Sequence, residues 1–106
     1  MQPILIGLKQ DFHDKESYEI VIDETSYLLI QQSGKYYFIE NRCGHFGISL
    51  SDAKLEPNSI TCSGHYISFD LTTGEIINRP YESCDKIKTF EVIETDTQLF
   101  FNKKPA

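Results

Sequence analysis

Cys43-Gly44-His45 and Cys62-Ser63-Gly64-His65 are the two stretches around which the rest of this 106-residue chain is interpreted. Each stretch provides one thiol and one imidazole within a single turn, and residues 46–61 separate them. Thiolate and imidazole are ligands for transition metals, and glycine lets the backbone pass close to a bound group. The sequence therefore predicts a metal centre built from two Cys and two His.

The mixture of ligands limits which metal group fits. Thiolate stabilises iron bound to sulfide, while neutral imidazole leaves the site less negatively charged, so a [2Fe-2S] cluster with two Cys and two His is easier to reduce than one with four Cys. Zinc accepts the same four ligands in a tetrahedral site, although zinc fingers usually pair Cys with Cys and His with His. Four separate structural residues are the third interpretation, and all three stay open on ligand chemistry alone.

Both stretches resemble the cluster-binding motifs of Rieske-type iron-sulfur proteins, in particular the small Rieske ferredoxins of bacterial oxygenase systems. Residues 43–50 resemble the family pattern C-P-H-x-G-x-x-L, and residues 62–70 resemble C-P-x-H-G-x-x-F-D. The similarity extends over about residues 27–101. It implies one Rieske [2Fe-2S] cluster per chain, with these ligands: Cys43, His45, Cys62 and His65.

The resemblance also implies which residues surround the cluster. Gly44 and Ser63 replace the usual prolines, which loosens the loops but removes no ligand. Tyr66 replaces a usual glycine, so the backbone path or the cover of the cluster is expected to differ there. Hydroxyl groups near the second motif come from Ser63, Tyr66 and Ser68. The residues expected around the cluster are Gly44, Phe46, Gly47, Ser63, Gly64, Tyr66, Ser68 and Pro80, and a small docking face is expected at Gly47, Ile48 and Pro80.

The number and positions of the cysteines indicate the cellular compartment and the subgroup of Rieske-type proteins that the chain resembles. Membrane-bound Rieske proteins of respiratory complexes carry an extra Cys in each cluster loop, whereas this chain has Ile48 and Gly64 at those positions. The similarity is therefore to the soluble ferredoxin group. Three cysteines are too few for a disulfide scaffold and are typical of a reducing compartment, with Cys84 interpreted as a structural thiol.

Composition favours a small acidic protein. A chain of this length with 40% hydrophobic residues predicts one domain over residues 1–106, with a cluster-binding subdomain at about 40–80. The net charge of -6 argues against nucleic acid and favours a basic protein partner. No apolar run of 18 residues occurs, and residues 1–8 lack the pattern of a signal peptide, so we expect a cytoplasmic protein, monomeric in isolation.

Short β-rich runs separated by turn residues predict an all-β fold, an antiparallel sandwich or barrel with a cluster-binding subdomain. Tyr18 to Ile22 alternates with a period of two, which indicates a strand with one core face. Further strands are predicted at 4–6, 27–31, 36–40, 59–61, 66–69, 75–77, 88–93 and 98–101, with turns at 32–35, 57–58, 73–74 and 95–97.

The resemblance implies a ferredoxin that accepts an electron from a flavoprotein reductase and delivers it to a terminal oxygenase. Two alternatives are a small Rieske subunit of a multi-component reductase, as in nitrite reductases, and a zinc-stabilised binding module. Catalysis is not expected, because a mononuclear iron site commonly needs two further His and only His13 remains, which we interpret as a surface residue. Without a loop disulfide, we expect a reduction potential in the lower half of the Rieske range, roughly -150 to +300 mV.

Overall fold

The computed structural model describes residues 3–13, 16–42, 50–51, 53–62, 67–77 and 86–102. These residues form ten strands in three antiparallel sheets, with one 3₁₀ turn at Lys9–Asp11, so the predicted all-β fold is confirmed. No helix in these ranges has the length and hydrophobicity to cross a bilayer. The strands are β1 (Ile4–Leu8), β2 (Ser17–Ile22), β3 (Thr25–Gln32), β4 (Lys35–Glu40), β5 (Lys54–Glu56), β6 (Ser59–Thr61), β7 (Ser68–Asp70), β8 (Thr89–Phe90), β9 (Val92–Glu94) and β10 (Gln98–Phe101).

The second sheet, in the order β2-β3-β4-β8, is the centre of the fold. Its first three strands are joined by two-residue turns, and the turn between β3 and β4 has Ser33 at φ 50° and Gly34 at φ 80°. Positive φ at both turn positions matches the twist of antiparallel strands. The alternation predicted for β2 is confirmed, since Tyr18, Ile20 and Ile22 are half-buried while Glu19, Val21 and Asp23 are exposed.

The two other sheets cover opposite faces of the second sheet. Side chains alternate between the faces of a strand, so Leu28 and Ile30 of β3 point away from Tyr27 and Leu29. Leu28 and Ile30 pack with residues of the third sheet, in the order β5-β6-β7. Tyr27 and Leu29 pack with residues of the first sheet, in the order β1-β10-β9. The fold therefore has two separate cores.

Three details differ from the predicted strands. The single strand predicted at 88–93 is wrong, because β8 pairs with β4 while β9 pairs with β10, and Glu91 lies between them. This segment passes from the second sheet to the first. Residues 75–77 form one isolated bridge, Phe69 to Ile76, rather than a strand. The strand β5 was not predicted, since its sequence Lys-Leu-Glu has only one apolar residue.

Candidate metal centre

The second ligand segment begins where β6 ends. Ser59–Thr61 forms the predicted strand directly before Cys62, and β6 pairs antiparallel with β7. The backbone N–H of Cys62 donates to the carbonyl of Ile67 at 2.9 Å, so main-chain atoms close the segment between them. Cys62 and Ile67 are therefore held together at the end of the β6–β7 ladder.

Cys62 itself is fully buried. Its side chain is 0% exposed and packs in the core that also contains Ile60, Ile67 and Phe69. The thiol forms no disulfide. A buried sulfur on a strand end, with its backbone position fixed, fits a sulfur ligand of a metal cluster, because such ligands must be shielded from water and held rigidly.

Ser68 is the other described residue among those expected around the cluster. It lies opposite Thr61 in the β6–β7 pair, and the two hydroxyl oxygens are 2.7 Å apart, which is hydrogen-bonding distance. This pair ties the strands together one residue before Cys62. Ser68 therefore has a role in holding the hairpin that carries the ligand.

The first ligand segment is bordered by Asn41 and by Leu50. The amide oxygen Oδ1 of Asn41 accepts a hydrogen bond from the backbone N–H of Leu50 at 2.7 Å, and its Nδ2 donates to Ser51 Oγ at 2.9 Å. Asn41 was not among the candidate residues from the sequence. In the sequence, Asn41 could be recognised only by its position, two residues before a predicted ligand cysteine and at the end of a predicted strand.

Most of the predicted site lies outside the described residues. This applies to the ligands Cys43, His45 and His65, to Cys84, and to the expected neighbours Gly44, Phe46, Gly47, Ser63, Gly64, Tyr66 and Pro80, together with Ile48. Among the residues that the structure does describe, no three His, Cys, Asp or Glu side chains are grouped as a metal site. Cys62 is the one predicted ligand whose surroundings are described.

The opposite end of the second and third sheets holds a cleft of about 450 Å³. Its described lining includes Gln32, Tyr37 and Asn58, and Cys62, the described ligand, is not part of it. Gln32 bridges the two sheets there, since its Nε2 donates to the carbonyl of Glu56 and its Oε1 accepts from the N–H of Asn58, both at 2.9 Å. A side-chain amide thus joins the two sheets at this end.

Comparison with known proteins identifies the family. The model of the Rieske [2Fe-2S] domain matches residues 2–99. The chain belongs to the Rieske [2Fe-2S] domain family. Its cofactor is accordingly a Rieske-type [2Fe-2S] cluster, which Cys62 fits as described above.

Individual relatives and solved structures agree with this family. The 3-phenylpropionate/cinnamic acid dioxygenase ferredoxin subunit of Photorhabdus laumondii is 32% identical over 73 residues, which are 68% of this chain and 68% of that protein. The ferredoxin of carbazole 1,9a-dioxygenase from Nocardioides aromaticivorans IC177 has the same fold, with a TM-score of 0.85 at 18% identity over 98% of this chain and 100% of the other. A complex of reduced oxygenase and oxidized ferredoxin in carbazole 1,9a-dioxygenase matches with a TM-score of 0.84, at 18% identity over 98% of this chain and 95% of that chain.

Proposed function

We propose that this Rieske protein is a ferredoxin that carries one electron from a flavoprotein reductase to a terminal oxygenase. The observation that carries the proposal is the buried Cys62 at the tip of the β6–β7 hairpin, within a Rieske domain match that spans residues 2–99. The similarity to a dioxygenase ferredoxin subunit over 68% of the chain supports this role. The chain acts as a carrier, with catalysis left to its partner.

The proposed ligands are Cys43 and Cys62 for one iron and His45 and His65 for the other. When bound, the cluster supplies a site that takes up and releases a single electron. The β6–β7 hairpin holds Cys62 and excludes water from its sulfur, and the Thr61–Ser68 pair fixes the hairpin beside it. A ligand that does not move on electron transfer keeps the reorganisation of the site small, which suits a carrier.

The proposed electron acceptor is an oxygenase component with a basic docking surface. A solved complex of an oxygenase with a ferredoxin of this fold supports this arrangement. The net charge of -6 favours fast, weak association with a positively charged face, and a carrier must leave after delivery. We place the docking face around Gly47, Ile48 and Pro80, beside the ligand histidines.

We further propose a single Rieske domain over residues 1–106 with a cluster-binding subdomain at about 40–80. The third sheet, β5 to β7, falls inside that range and packs against one face of the second sheet, which supports the subdomain. The odd cysteine count supports a cytoplasmic protein, and we expect a monomer.

Spectroscopy of the purified protein tests this function. We expect iron and acid-labile sulfide at two atoms each per chain, a visible spectrum of a Rieske cluster, and an electron paramagnetic resonance signal that appears on reduction with dithionite. Cys62→Ser is expected to abolish the signal, whereas the control Cys84→Ser retains it. A colourless protein that contains zinc would refute the proposal and favour a zinc-stabilised module.

Electron transfer itself is tested by the reduction potential. Since the loop disulfide of respiratory Rieske proteins is absent, we expect a midpoint in the lower half of roughly -150 to +300 mV. Protein-film voltammetry measures it directly. A midpoint well above the middle of that range would contradict this expectation.

A further inference from the structure

The buried side chain of Asn41 joins the two ends of the first ligand segment. Asn41 lies just after β4 and is only 8% exposed. Residues 42–49 follow it and contain the proposed ligands Cys43 and His45. Leu50 and Ser51 come directly after that stretch, and the Asn41 side chain accepts a hydrogen bond from the N–H of Leu50 and donates one to Ser51 Oγ. The amide therefore links the described residues on the two sides of positions 43–49.

All hydrogen-bonding atoms of the Asn41 amide are used. Oδ1 accepts from the N–H of Leu50 at 2.7 Å, a fully buried interaction. Nδ2 has two protons, and among the described residues it donates to Ser51 Oγ at 2.9 Å and to Ser26 Oγ at 3.0 Å. The placement of oxygen and nitrogen is fixed by Leu50, because a backbone N–H can only donate.

Two residues of the second sheet anchor this amide. The backbone N–H of Asn41 donates to the carbonyl of Ser26 at 2.9 Å, which extends the β3–β4 ladder by one step. Glu19 Oε2 accepts from Ser26 Oγ at 2.6 Å and lies 3.3 Å from Asn41 Nδ2. The ends of the ligand segment are thus tied to strands β2 and β3 rather than only to each other.

The two ligand segments are closed in different ways. Between Cys62 and Ile67 a backbone hydrogen bond closes the second segment, and the adjacent β6–β7 ladder supports it. Among the described residues, the corresponding bridge at the first segment is made by the side chain of Asn41. We propose that Asn41 is a positioning residue that holds the segment of Cys43 and His45 in the geometry needed to bind the cluster. This inference rests on the proposed ligand set.

Asn41→Ala removes the bridge, and Gln32→Ala is the matched control. Gln32 likewise uses both the oxygen and the nitrogen of its amide, but it joins the second and third sheets at the end opposite to Cys62, the described ligand. Without Asn41 the buried N–H of Leu50 loses its acceptor, and we expect the cluster to be lost to a chelator about tenfold faster. Both variants are expected to unfold at lower urea concentration.

Cluster properties separate positioning from general stability. We expect Asn41→Ala to change the electron paramagnetic resonance g-values and the midpoint potential of the protein that still holds its cluster, and Gln32→Ala to leave both unchanged. If Asn41→Ala lowers stability but leaves chelator resistance, g-values and potential as in Gln32→Ala, Asn41 is merely structural and the proposal is overturned.

Exchanging the carboxylate and the amide between positions 19 and 41 tests the same hydrogen-bond network and is expected to restore cluster retention. Asn41→Asp keeps an oxygen for the N–H of Leu50, and the hydroxyl protons of Ser26 and Ser51 can turn toward it. The Glu19 carboxylate cannot donate and would repel the new carboxylate. We expect Asn41→Asp to lose cluster faster than the wild type and Asn41→Asp with Glu19→Gln to recover most of the retention. A double variant no better than Asn41→Asp would contradict the network.

Hydrogen exchange of the Leu50 amide separates this inference from the proposed function. Measured on the protein as purified, the exchange is expected to accelerate in Asn41→Ala and not in Gln32→Ala. A wild type without a [2Fe-2S] signal would refute the function, while Leu50 exchange would still decide whether Asn41 closes the segment. Equal exchange in the wild type and Asn41→Ala would refute the closure whatever the cofactor.

Discussion

The two faces of strands β3 and β4 carry different cores. The face toward the first sheet is aromatic, with Tyr27, Phe38, Phe90 and Phe101 in contact and ring centroids of neighbouring pairs 4.5 to 6.2 Å apart. The face toward the third sheet is mainly aliphatic and contains Cys62. One pair of strands therefore supports two cores, and Cys62, the described ligand, belongs to the aliphatic one.

We expect the two faces to contribute differently to stability and to cluster binding. Aromatic rings bury a large apolar area and interact edge to face, so the aromatic core contributes mainly stability. The aliphatic core fixes Ile60 and Ile67, which lie two positions before and two positions after the ligand segment 62–65. Substitutions in either core are expected to destabilise the fold, but only substitutions in the aliphatic core are expected to weaken retention of the cluster.

The largest expected effects come from removing one buried phenylalanine from each core. Phe69→Ala and Phe101→Ala each delete a ring that is 0% exposed, and each should lower the free energy of unfolding by about 3–5 kcal/mol. Urea unfolding measures both. We expect chelator resistance of the cluster to fall more in Phe69→Ala, because Phe69 shares its core with Cys62.

Phe101→Ala serves as the control for the loss of stability alone. Phe101 packs with Tyr27, Phe38 and Phe90 and not in the core of Cys62. Equal changes in g-values and chelator resistance in the two variants would show that the cores are not independent.

A smaller effect is expected at two glycines that share a φ of 80°. At Gly34 an added Cβ meets nothing within 4 Å, so Gly34→Ala should cost only the left-handed backbone penalty, about 1 kcal/mol. At Gly74 the Cβ would overlap the carbonyl of Ile87, a residue of the aliphatic core, which adds about 1–3 kcal/mol. Urea unfolding of both alanine variants measures the difference, and equal losses would contradict the close contact.

Much of the second sheet and of the hairpin that carries Cys62 could be predicted from the sequence. Alternation in residues 18–22 and the β-rich runs on either side of Ser33-Gly34 gave the correct strands, because one buried face imposes a period of two. The Pro57-Asn58 turn was also correct, with Asn58 at φ 60°. Family resemblance, rather than periodicity, led to the ligand set, which stays a prediction for the residues outside the described ranges.

Features that depend on distant residues were not visible in the sequence. Residues 88–93 have one β-rich composition, yet β8 and β9 join different sheets because β4 and β10 offer separate edges. Asn41 gave no periodic signal, since its importance lies in partners at Ser26 and Leu50 that are far along the chain. Local patterns predict strands, whereas pairings and bridges require the tertiary structure.

The smallest expected effect is a pH dependence that belongs to the aromatic core. Tyr27 is 4% exposed, and burial raises the pKa of its hydroxyl above the ordinary value of 10.0. The folded state thus keeps this proton when the unfolded state has lost it, so the contribution of Tyr27 is complete below pH 10 and is lost as the pH rises through its folded pKa. Because only one proton is involved, the free energy of unfolding cannot change by more than about 1.4 kcal/mol per pH unit through Tyr27. Urea unfolding between pH 9 and pH 11 should show a steeper decline in the wild type than in Tyr27→Phe, and parallel declines would mean that Tyr27 titrates alike in both states.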